Sequence, residues 1–192
     1  MEKSNTAAGA ERQKVLKKDI HQVRARARAH LEDGAVTEAY QADRALVVQK
    51  LNEALATELI CVLRYKRHHF MASGIDAFGV AQTFAEHAAE EQAHADRIAH
   101  RIVQLKGEPN FNPADLVSQG YSEYVEGKTL ADMIREDLVE ERVAIESYEN
   151  LIHQLGDKDS TTRRLLEDIL ADEEEHADEL ANMLGGLDKA KT

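Results

Sequence analysis

Apolar positions recur every three to four residues along this chain, the spacing of one buried face of a helix. The pattern starts at Val15, where Leu16, Ile20, Val23, Ala27 and Leu31 predict a short amphipathic leader helix that stops near Gly34. A link over residues 35–41 follows. The spacing then predicts four long helices, over about residues 42–73, 80–106, 129–155 and 160–184. Gly74 and Gly79 bracket one tight turn, Gly156 with Asp157 makes another, and Gly185-Gly186 is expected to stop the last helix. Residues 107–127 hold both prolines, Pro109 and Pro113, and form the one long connection. The chain is thus expected to divide into an N-terminal extension (1–41), a helical body (42–186) and a short tail (187–192).

Short loop, long crossover, short loop describes two antiparallel hairpins joined across a bundle. The expected fold is all-α: a ferritin-like antiparallel four-helix bundle with a long crossover between its second and third helices and an extra N-terminal helix. Composition agrees. Alanine, leucine, glutamate and arginine dominate the 192 residues, and the two prolines leave long stretches on either side free of the strongest helix breaker. A β-sandwich or doubly wound sheet is disfavoured.

The hairpins repeat each other. Glu58 and Tyr65 in the first long helix recur as Glu141 and Tyr148 in the third, 83 residues on. Glu91-Gln92-Ala93-His94-Ala95-Asp96 recurs as Glu173-Glu174-Glu175-His176-Ala177-Asp178, 82 residues on. Residues i and i+3 share a helical face, so Glu91 with His94, and Glu173 with His176, can hold a common ion. Each pair lies in an apolar stripe, as do Glu58 and Glu141. Four carboxylates meeting two imidazoles inside an apolar bundle would be prohibitively costly without compensation. Two divalent ions supply it, and the oxygen-rich donor set suits iron or manganese. The expected di-iron arrangement places Glu91 and Glu173 between the ions, Glu58 with His94 on one, and Glu141 with His176 on the other. Tyr65 and Tyr148 are placed to hydrogen-bond ligand carboxylates; either reads as an electron donor or, equally, as a packed core tyrosine with a satisfied hydroxyl.

The remaining acids and histidines are read more plainly. Glu140, Glu174 and Glu175 are expected on solvated faces, as are Glu86 and Glu90. His68 and His69 close the first long helix, where cations are favoured. His87 is placed to support the site, and His21, His30, His100 and His153 read as surface residues. The single cysteine, Cys61, excludes an intrachain disulfide and a Cys-based zinc site, and reads as a small buried apolar residue.

At these residues the chain resembles the bacterioferritins and the related Dps-like ferritins. The likeness runs over about residues 51–184, through Leu51-Asn52 to Glu58-Leu59, Glu91 to Asp96, and Ile169 to His176. It implies a ferroxidase that binds Fe(II), oxidises it with O2 or H2O2 and deposits ferric mineral inside a hollow oligomeric cage. It assigns the metal to Glu58, Glu91, His94, Glu141, Glu173 and His176, and sets Tyr65 beside it. Bacterioferritins carry a heme-ligating methionine directly after the first motif glutamate; Gln92 stands there, which argues against heme by that route. Gly185-Gly186 and the short remainder argue against a fifth, shell-closing helix. The crossover with Gly120-Tyr121 looks more like the Dps-like ferritins, so a dodecamer is the first expectation and a 24-subunit shell the second. The cysteine pair of some Dps-like ferritins is absent, with Gln119 and Val143 at those positions.

Charge adds a division of labour. The net charge is −12, yet residues 1–30 hold eight basic and three acidic side chains. The acidic body suits cations and disfavours nucleic acid. The basic residues 12–28 either contact DNA phosphates, as Dps tails do, or dock the leader helix on the bundle or a neighbouring subunit; its apolar stripe favours docking. No apolar run approaches the roughly 18 residues that span a bilayer, and no apolar signal core opens the chain, so a cytoplasmic protein without membrane contact is expected. A non-storing di-iron peroxidase or oxygenase of the rubrerythrin type, and a DNA-coating protein, stand as the competing readings.

Overall fold

In the computed structural model the described residues are 19–74 and 77–189. They fall into two compact units that divide between Tyr40 and Gln41. In the first unit, residues 19–27 form helix α1, and Leu31–Asp33 make one 3-10 turn. The leader helix therefore ends before Gly34, because His30 adopts a left-handed conformation with φ 55°. Its expected beginning at Val15, with Arg12, Lys14, Lys17 and Lys18, lies outside the described residues.

The second unit holds α2 (Arg44–Met71), α3 (Ala77–Gln104), the single-turn α4 (Leu116–Gln119), α5 (Leu130–Leu155) and α6 (Ser160–Lys189). No strand occurs among the described residues. The Asp43 side chain accepts the Leu46 amide and starts α2. Thr129 and Asp132 cap α5 reciprocally, each side chain accepting the other's amide. Gly156, at φ 52°, ends α5.

Two boundaries differ from expectation. Gly79 lies inside the first turns of α3 and does not mark its start. Gly185-Gly186 does not stop α6, which runs on to Lys189. Each glycine costs roughly 1 kcal/mol in a helix interior. Against that, Leu180, Met183, Leu184 and Leu187 continue one apolar stripe across the pair and pack on the core of Cys61, Tyr65, Val80, Phe84 and Ile134. Packing outweighs propensity.

Helix directions follow from the contacts. The crossover leaves α3 beside the start of α2, where the Asn52 side chain reaches the Glu108 carbonyl and the Asn110 amide. It climbs along α2, with the Tyr121 amide on Thr57 Oγ1, and finishes beside its end, where Arg67 and His68 meet the Glu126 carbonyl. Any Cβ at Gly120 would press on the Thr57 backbone nitrogen at 3.1 Å, so a glycine lets the strap lie flat there. Entering at that end, α5 runs antiparallel to α2. Likewise α6 runs antiparallel to α3: Glu90 meets His176 while His94 meets Asp172.

The strap is pinned by a buried polar cluster that sequence alone did not reveal. Arg64 is fully buried and bonds Asp137 Oδ1 at 2.8 Å and the Glu123 carbonyl at 2.9 Å. His68 Nδ1 lies 2.8 Å from Asp137 Oδ2. Ser122 Oγ donates to Glu140 at 2.7 Å. Glu140 is therefore a buried partner of the crossover and not a solvated acid, and His68 is a buried carboxylate partner and more than a helix terminator. Cys61 is buried as expected, and burial pushes its thiol pKa up.

Candidate metal centre

All six expected ligand residues come together in the middle of the bundle. Glu58 lies on α2, Glu91 and His94 on α3, Glu141 on α5, Glu173 and His176 on α6, and every one is at most 4% exposed. They make two overlapping groups. One is Glu58, Glu91, His94 and Glu173; the other is Glu91, Glu141, Glu173 and His176. Within each group one donor atom per residue falls within 4.8 Å of all the others. Glu91 and Glu173 belong to both groups and sit between them.

These donors face one another without hydrogen bonds. Glu58 Oε2, Glu91 Oε1, both Glu173 oxygens, His94 Nδ1 and His176 Nδ1 are buried and have no hydrogen-bond partner. His94 Nδ1 lies 3.3, 3.5 and 3.1 Å from Glu58, Glu91 and Glu173, close but aligned with none. His176 Nδ1 lies 3.5, 3.8 and 3.7 Å from Glu91, Glu141 and Glu173. An interior normally satisfies such atoms. Convergent orphaned oxygens and imidazole nitrogens are what a cation would satisfy, and the residues fit a pair of divalent ions.

The electrostatics say the same. Burial, then the Glu91 charge, lifts the Glu58 carboxyl to about 8. The same two causes hold Glu141 well above the usual range. Burial alone would lower both imidazoles, but the surrounding carboxylates, Glu173 first, outweigh it; His176 rises to about 10 and His94 rises further. Burial and Glu58 push Glu173 up, and His176 and His94 overcome them to bring it below its ordinary value.

The outer ligands are held from behind. Tyr65 OH donates to Glu141 and Tyr148 OH to Glu58, a reciprocal pair across α2 and α5. His94 Nε2 lies 3.1 Å from Asp172, and His176 Nε2 lies 2.6 Å from Glu90. Glu90 is exposed, as expected of a surface acid beside the site, and still reaches His176; Asp172 is the residue that sequence reasoning does not single out. A signal existed: an acid directly precedes each motif glutamate, at Glu90-Glu91 and Asp172-Glu173. His87 does support the site. It stacks on His176 at 4.0 Å, and its Nδ1 lies 3.2 Å from Tyr65 OH and its Nε2 3.1 Å from Glu179. Burial, then His176, lowers its pKa. Glu174 and Glu175 are exposed as expected.

The ferritin-like domain family matches residues 48–190. A bacterioferritin of Mycobacterium tuberculosis is 35% identical over 147 residues, covering 74% of this chain and 86% of that protein. Among solved structures, a dodecameric thioferritin, the bacterioferritin-related protein of Bacteroides fragilis, superposes with a TM-score of 0.76 at 29% identity, covering 79% of this chain and 91% of its own. The bacterioferritin of Desulfovibrio desulfuricans, solved with its diiron site in different catalytic states, gives 0.68 at 27% identity, covering 76% and 82%. Among the described residues no helix is long and apolar enough to cross a membrane. A doubled carboxylate–histidine cluster in an antiparallel bundle, a domain match over most of the chain and this identity to curated relatives place the chain in the bacterioferritin family of ferritin-like proteins.

Proposed function

We propose that this chain is a ferroxidase subunit that takes up Fe(II), oxidises it at an intrasubunit di-iron site and stores ferric mineral inside a homo-oligomeric cage. The observation that carries the reading is the set of six orphaned donor atoms converging from α2, α3 and α6, with Glu141 of α5 completing the cluster. Glu58 with His94 would hold one ion, Glu141 with His176 the other, and Glu91 and Glu173 would lie between them. Tyr65 and Tyr148 fix the outer carboxylates by donating to them. With metal bound, Asp172 and Glu90 would accept hydrogen bonds from Nε2–H of His94 and His176, leaving each Nδ1 free to face the ions.

The chemistry balances without an external reductant. Two Fe(II) lose one electron each; O2 takes both with two protons and leaves as H2O2, or H2O2 takes both with two protons and leaves as two waters. The likeness to a dodecameric relative supports twelve subunits ahead of a 24-subunit shell. Gln92 offers no methionine sulfur for heme. The basic leader serves docking before DNA.

Aerobic loading with Fe(II) in large excess, followed by size-exclusion with iron and protein assayed in each fraction, tests this. Iron far beyond roughly two per chain travelling with a large assembly is the expected result. Iron stopping at that stoichiometry, or a dimer, refutes storage and leaves the non-storing di-iron enzyme.

A further inference from the structure

The two halves of the bundle are related by the repeat, yet they are packed differently. In one half Cys61, Arg64, His68, Asp137 and Glu140 fill the space beside Tyr65 with buried side chains. Shifting each of these by the 83-residue offset, forward on α2 and backward on α5, gives Ala144, Ser147, Leu151, Ala54 and Thr57 beside Tyr148. Large charged residues are replaced by small or apolar ones. A cavity of about 340 Å³ opens there, lined in part by Tyr148, whose hydroxyl donates to Glu58. No carboxylate lines it, and Lys50 is its one charged lining residue.

The opposite, α3/α6 face carries a second cavity of about 270 Å³ that touches His94 and His176. Its lining includes five carboxylates, those of Glu86, Glu90, Asp172, Glu175 and Glu179, against the single guanidinium of Arg97. A divalent cation is drawn to that face, whereas at the other Lys50 is ion-paired with Glu53 at 2.7 Å and leaves no negative field to attract it. An uncharged molecule is sorted by neither field and enters space lined by Ala54, Ala144 and Leu151 together with the uncharged polar side chains of Thr57, Ser147 and Gln154.

We propose that the cavity over Tyr148 is the entry site for the uncharged oxidant, a dioxygen species (O2 or H2O2), while cations use the acidic face. The inference rests on the ferroxidase reading and divides that site into two separate approaches. Filling the cavity then slows delivery of the oxidant and leaves the metal site alone.

The test uses the full chain with Ala144→Leu and Ala54→Leu, two positions outside the ligand set. Anaerobic titration with Co(II), read by its visible absorption, checks metal binding independently of turnover. Failure of the unaltered chain to bind two Co(II) would refute the ferroxidase reading itself. With Co(II) binding unchanged, single-turnover oxidation of preloaded Fe(II) is expected to slow about tenfold in both variants. Slowing with O2 alone, or with H2O2 alone, identifies which oxidant uses the route. Xenon-pressurised crystals should show xenon over Tyr148 in the unaltered chain and none in Ala144→Leu. Where either variant loses Co(II) binding, Ser147→Phe at the cavity rim makes the same comparison. Unchanged rates with both oxidants, no xenon in the unaltered chain, or slowing by Ala93→Leu on the acidic face instead would overturn the proposal.

Discussion

The environments of Tyr65 and Tyr148 are the most instructive comparison in the molecule. Both rings are buried, and both hydroxyls donate to a carboxylate of the opposite helix. Beyond that hydrogen bond they part. Tyr65 packs on Phe84 and His87 above a sealed cluster in which Arg64 meets Asp137. Tyr148 lines an open cavity. Both halves share the tyrosine–carboxylate pair, but on one side the space around it is filled by the buried partners of the crossover and on the other it is left open. The imidazoles differ likewise. Asp172 behind His94 is shared with Arg97, whereas His176 has Glu90 and the stacked ring of His87, whose repeat mate is Ile169.

The largest effect should come from removing what both halves share. Glu91→Ala with His94→Ala should abolish rapid Fe(II) oxidation in stopped-flow absorbance while circular dichroism still reports a folded bundle. With buried ligand charge removed, the metal-stripped protein should melt no lower than the parent. Normal oxidation rates would refute the ligand assignment.

The two packing solutions can be set against each other directly. Arg64→Ala leaves Asp137 buried beside His68 alone and should cost about 3–5 kcal/mol in denaturant unfolding. Its repeat mate Ser147 bonds only the Val143 carbonyl, and Ser147→Ala should stay within about 1 kcal/mol of the parent. Equal losses would mean the halves are energetically alike.

Next come the anchors. Asp172→Asn and Glu90→Gln should each weaken divalent-metal affinity about 10–100-fold by calorimetry. Unchanged affinity in both would show that the carboxylates behind the imidazoles do not set their orientation.

The smallest effect is a pH trend in the metal-stripped protein. Glu58, raised from 4.5 to about 8, contributes stability below 4.5 that is lost as pH rises through 8. His176, raised from 6.5 to about 10, loses its contribution over that higher interval, and His94 shifts the same way. The lowered Glu173 acts oppositely only as pH falls below 4.5, and the lowered His87 opposes the trend only up to 6.5, against Glu58, Glu141 and both raised imidazoles. Thermal midpoints should therefore decline from about pH 5 to about pH 9, and metal loading should flatten the decline. A rising midpoint over that range would contradict the site's electrostatics.

The sequence by itself determined the helical bundle and picked out the six residues that converge in its interior. Helical periodicity is local, and ligand spacing at i and i+3 is fixed by 3.6 residues per turn, so both can be read before the chain folds. The repeat then supplied the register of one hairpin against the other. Tertiary structure decided the rest. It kept α6 helical through Gly185-Gly186, because a stripe of leucines met a core that the local sequence does not contain. It turned Glu140, His68 and Arg64 into interior residues, since the charged partners that neutralise them lie 69 to 76 positions away. And it made one half dense and the other open, because free volume depends on which side chains of different helices face each other, a property no single helix carries.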